Sequence, residues 1–88
     1  MSAAPIKLPY FMGLAQAPEL RDALQAALGG DGELVLDGGS VESADSSCLQ
    51  LLCAFAAAGG DRVRWSGASA ELREAARLLG VSAIIGIP

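Results

Sequence analysis

The sequence contains no histidine, only six basic residues, two cysteines and no apolar stretch near the length of a membrane span. Each shortage removes a class of function. Without histidine the commonest general base and metal ligand is gone, and two cysteines alone cannot complete an ordinary zinc shell. No catalytic residue, metal or cofactor is expected. Six lysines and arginines scattered through a chain of net charge −4 form no phosphate-binding cluster, so nucleic acid is excluded as a partner. A bilayer span needs roughly twenty consecutive apolar residues, and none is present, so membrane insertion is not expected. Protein remains as the partner class.

What is present is a chain of 88 residues that is 52% hydrophobic, enough for one small core, so residues 1–88 are expected to form a single domain. Cys48 and Cys53 lie five positions apart, about 140° around a helix, and cannot bridge without breaking it. They read as packing thiols in a reducing compartment. The start "IKLPYFMGLAQA" has the lysine and small-residue end of a secretory signal, but its apolar run of about seven residues is short and interrupted by Pro9 and Tyr10. The expected location is cytoplasmic.

Along the chain, Ile6, Leu8 and Tyr10 alternate with Lys7, Pro9 and Phe11, the period of a strand that Pro9 confines to an edge or terminates. Pro18 and Glu19 open a helix over 17–28, with Leu20, Ala23, Leu24, Ala27 and Leu28 on one stripe and "GGDGE" ending it. "ELVLD" lacks polar alternation, which predicts a strand covered on both faces. A helix from about Ser46 to Ala58 follows, then "RVRWS" as a half-buried strand. "SAELREAARLLG" completes a helix with Ser69 as N-cap and Gly80 beyond its end. The tail "VSAIIGIP" is apolar but too short for an independent helix; it is expected to add a short strand, pack across the last helix or hang loose. The order β-α-β-α-β-α predicts an α/β fold, a small, mostly parallel sheet flanked by helices. Its expected core is Leu20, Leu24, Leu36, Leu52, Val63, Trp65, Leu72 and Leu79.

The stretch "ESADSSCLQLLCAF" carries the functional question. On a helix, Cys48, Leu49, Leu52, Phe55 and Ala56 gather on one face, leaving Gln50, Ala54 and Ala57 opposite, with Leu51 and Cys53 at the margins. Solvated helix faces normally carry charge, and this one has a single amide. It therefore suits a partner protein or a second copy in a homodimer. Asp45, Ser46 and Ser47 precede it. Any of them can cap the helix start, and each hydroxyl is also open to modification. Ser46 beside Asp45 is not a catalytic pair, because a solvated carboxylate is too weak a base to activate an alcohol at neutral pH.

In order and spacing, "LPYFMGLAQAPELRDAL", "ELVLDGGSVESADSSCLQLLCAF" and "VRWSGASAELREAARLLGV" resemble the STAS domain of anti-sigma factor antagonists and of small bacterial proteins associated with chemotaxis and lipid transport. The resemblance implies that the serine after the aspartate at the start of the second helix, Ser46, is the site a partner kinase phosphorylates. Asp45 and Ser47 would support it. Cys48 stands where a glycine is common, and "CLQLL" is closer to the short chemotaxis-associated type. Two functions are implied. In one, the unmodified domain sequesters an anti-sigma factor kinase and the phosphorylated domain releases it. In the other, the domain is a constitutive scaffold or accessory subunit of a chemotaxis complex or of a lipid transporter ATPase.

Overall fold

The computed structural model describes residues 4–88. Its main sheet has three parallel strands in the order β1 (Ile6–Lys7), β3 (Leu34–Gly38) and β5 (Val63–Ala68). A second, two-stranded parallel sheet pairs β2 (Phe11–Met12) with β4 (Ser43–Ala44). The single N-terminal strand expected over 6–11 is therefore two. Pro9 has no N–H to continue the ladder, so after Leu8 donates to the Asp37 carbonyl at 2.9 Å the chain leaves the first sheet and re-pairs in the second.

β3 is central because Leu34, Leu36 and Gly38 are all buried on one side while Val35 and Asp37 are half-buried on the other. Its register with β5 shifts between Leu36 and Asp37, which pair with Trp65 and Gly67. Ser66 is thus the extra residue of a bulge, and its hydroxyl lies 3.4 Å from the Leu36 carbonyl that it donates to.

The helices are α1 (Ala17–Leu28), α2 (Ser46–Gly59), α3 (Ala70–Leu79) and a single turn, α4 (Ser82–Ile85). A 3₁₀ turn, Leu14–Gln16, leads into α1. α1 packs on α2, α2 on α4 and α3 on α4. Ser69 caps α3 as expected: its hydroxyl accepts from the Leu72 amide at 3.0 Å and donates to the Val41 carbonyl at 2.6 Å. One side chain therefore ties the α3 start to the loop between β3 and β4. Gly80 ends α3 in the left-handed region at φ 79°, as its position after the helical stripe predicts.

One core joins these elements. Leu20, Leu24, Leu36, Leu52 and Leu72 are buried in it, and Val63 and Trp65 pack against it half-buried. Leu79 does not join them: it is 42% exposed. The buried stripe of α3 consists of Leu72 and Ala76, and the turn at Gly80 brings Ile85 into the core, where it is 1% exposed. The tail is accordingly neither strand nor loose end. The Trp65 indole N–H donates to the Ile85 carbonyl at 2.8 Å, and α4 is pinned on the polar side of that ring as well as by its own apolar side chain.

Candidate functional site

The start of α2 is held from three directions. The Glu42 amide donates to the Tyr10 carbonyl at 2.7 Å and the Asp45 amide to the Met12 carbonyl at 2.7 Å, so β4 and the cap residue are fixed to β2. Val41, 1% exposed, anchors the loop before them in the core. The Cys48 thiol, fully buried, donates to the Gly13 carbonyl at 3.4 Å and ties the first turn of α2 to the chain entering α1. Burial pushes that thiol's pKa up, which leaves it protonated and able to donate.

At the helix mouth the capping role falls to Asp45. It sits in extended backbone at the N-cap and its carboxylate accepts from the Ser47 amide at 3.0 Å and from the Ser47 hydroxyl at 2.6 Å. The Ser47 hydroxyl bond, followed by the Ser47 amide bond, holds the Asp45 carboxyl below its ordinary pKa. Ser47 is thereby committed. Ser46 is exposed, and among the described residues its hydroxyl has no hydrogen-bond partner. The two serines that sequence spacing leaves equivalent are separated by geometry: one closes the cap and the other is free.

At 100° per residue, Ser46, Gln50, Ala54 and Ala57 fall within about 80° of one another around α2. All four are exposed, while Cys48, Leu49, Leu52 and Phe55 are buried on the opposite side. The candidate partner face is therefore one continuous stripe that begins at the free hydroxyl. Leu51 and Cys53 flank it half-buried, and both cysteines are free thiols. No charged side chain lies on the stripe itself; Asp45 stands at its end.

Three large apolar residues that sequence patterning does not assign to the site are exposed on the segment that enters α1, two of them next to the site. Tyr10 is 57% exposed, Phe11 60% and Leu14 72%. Phe11 pairs with Ser43 in the second sheet, two residues before Asp45, and Leu14 shares a groove with Ser47 and Leu51. The signal for them is the break at Pro9, after which the alternation of a single strand no longer says which side chain points inward.

Fold and site together describe a small α/β domain with an exposed, uncharged helix face next to an Asp-capped helix start. The family model described as Mlab, STAS domain matches residues 8–86, and the chain belongs to the STAS domain family. Among curated proteins and among solved structures no match reaches significance. Domains of this family serve regulation and protein–protein interaction. Among the described residues no helix is long and apolar enough to cross a membrane.

Proposed function

We propose that this protein is a regulatory docking module that binds its partner through the exposed stripe of α2 and is switched by phosphorylation of Ser46. The observation that carries the reading is the free Ser46 hydroxyl at the head of an uncharged, exposed helix face, with the capping duty taken by Asp45. A phosphate there adds about −1.5 to −2 charges at a helix N-terminus, where the dipole and the free amides tolerate it, so the fold persists. The partner does not tolerate it. Burying that charge against an apolar surface without compensation costs on the order of 3 to 5 kcal/mol, roughly a hundredfold to several thousandfold in affinity. Asp45 adds like-charge repulsion at the same point. The partner classes are an anti-sigma factor kinase, a chemotaxis component or a transporter ATPase.

A second reading rests on the same uncharged stripe without the switch: a constitutive scaffold or accessory subunit of a chemotaxis complex or of a lipid transporter. There the same stripe docks constitutively and Ser46 is a contact only. Binding of purified partner candidates of the three classes from the source cell, measured by calorimetry with the wild type, Ser46→Asp, Ser46→Ala and Ala54→Arg, separates the readings. The switch requires Ala54→Arg to abolish binding, Ser46→Asp to weaken it about tenfold or more and Ser46→Ala to retain it. Insensitivity to Ser46→Asp, together with no phosphate on Ser46 by mass spectrometry of protein from its native cell, selects the constitutive subunit.

A further inference from the structure

Beside the α2 stripe lies a groove of about 450 Å³, walled by Leu14, Ala17, Pro18 and Arg21 on one side and by Ser47 and Leu51 on the other. Its lining is apolar except for the Ser47 hydroxyl and one cation. Arg21 is lightly held: its ion-pair contact is with Asp22 at 3.7 Å, and the two side chains are 58% and 72% exposed. An exposed pair of that length is worth little and is readily exchanged. Leu14, 72% exposed, neither belongs to the core nor packs against it. The small side chains Ala54 and Ala57 allow a second helix to approach α2 closely enough to reach into the groove.

We propose that this groove selects the partner. It receives a large apolar side chain of an amphipathic partner helix between Leu14 and Leu51, and Arg21 pairs with a carboxylate one turn away on the same helix. The proposal rests on the docking reading above and adds the chemistry of the partner to it. Charge complementarity is the argument: Arg21 is the one cation among the groove's lining residues, its exposed contact with Asp22 is readily exchanged, and a partner carboxylate satisfies it where a basic segment is repelled. It also gives the phosphate on Ser46 a second action. Next to Ser47 at the groove's edge, the phosphate repels the partner's carboxylate and competes for Arg21.

The test uses whichever of the three candidate partners binds the wild type. Arg21→Glu is expected to weaken binding about tenfold or more, Arg21→Gln less, and Leu14→Ser about tenfold, with unchanged thermal melts because both side chains are exposed. Wild-type affinity is expected to fall as salt is raised, and the Arg21→Gln variant to lose most of that dependence. Replacing the partner's helix carboxylates singly by lysine is expected to restore binding to Arg21→Glu at one position. If Ala54→Arg abolishes binding while Arg21→Glu and Leu14→Ser leave it unchanged, the groove proposal falls and α2 docking stands. If none of the three variants has an effect, both fall, as they do if no candidate partner binds. A dimer in sedimentation equilibrium that Leu14→Ser dissociates also overturns the proposal, because the groove is then filled by a second copy.

Discussion

The two adjacent serines at the start of α2 differ in what they can lose. Ser47 holds Asp45 through hydroxyl and amide, so Ser47→Ala removes one of the two bonds that close the cap, whereas Ser46→Ala removes none. Thermal melts are expected to show a decrease for Ser47→Ala and no change for Ser46→Ala. Acid gives a second check. A carboxyl whose folded pKa is lowered stabilises the fold above its unfolded pKa and loses that contribution as the pH falls through the folded value. Asp45 is such a group, with the Ser47 hydroxyl as the main cause. The difference in melting temperature between wild type and Asp45→Ala is therefore expected to be largest near neutrality and to shrink on acidification below about pH 4. A difference that grew with acid would show that Asp45 is not bound by Ser47 in solution.

Among the elements, β3 and the start of α3 are fitted to each other with no room to spare. A Cβ on Gly38 would lie 2.5 Å from the Leu72 side chain and 3.1 Å from Trp65, so Gly38→Ala is expected to cost about 1 to 3 kcal/mol by overpacking, read as a shift in the urea midpoint. Ser69→Ala removes the α3 cap and the bond to Val41 together and is expected to cost about 1 to 2 kcal/mol in the same experiment. These elements were also the ones sequence patterning reached. The stripes of α1 and α2, the apolar run of β3 and the Ser69 and Gly80 boundaries of α3 are local signals, and the structure has them where periodicity puts them, except that Ala23 of the α1 stripe is exposed. Leu79 and the tail were not legible for the opposite reason. Which of Leu79 and Ile85 is buried depends on how the chain returns after Gly80, and that return is fixed by a hydrogen bond between Trp65 and Ile85, twenty positions apart. The split of the first strand was half legible: Pro9 marks where pairing stops, but nothing local shows that Phe11–Met12 finds Ser43–Ala44. For the candidate site, spacing found the uncharged face of α2, whereas choosing Ser46 over Ser47 from chemistry alone required seeing which hydroxyl meets Asp45.

For the molecule as a whole, α4 is the closing piece, and its loss is expected to be felt in the core rather than only at the end of the chain. Ile85→Ala deletes a fully buried side chain and is expected to cost about 2 kcal/mol or more, with a red shift of fluorescence from Trp65, the single tryptophan, as its ring becomes wetter. An unshifted spectrum with unchanged stability would mean that the tail does not seal this core. The strand pairings have a consequence for how the molecule forms. Ile6 pairs with Leu36, Phe11 with Ser43 and Leu34 with Val63, each across about thirty residues, and among the described residues every pair is parallel, with no hairpin to start a sheet. The entropy of closing each crossover is lost before any ladder bond repays it. Helical signal in stopped-flow circular dichroism is therefore expected to develop ahead of the burial of Trp65, and refolding to be slower than in a helical bundle of the same length. β3, the strand on which both neighbours wait, gains its order only when segments from before α1 and after α2 have come to either side of it.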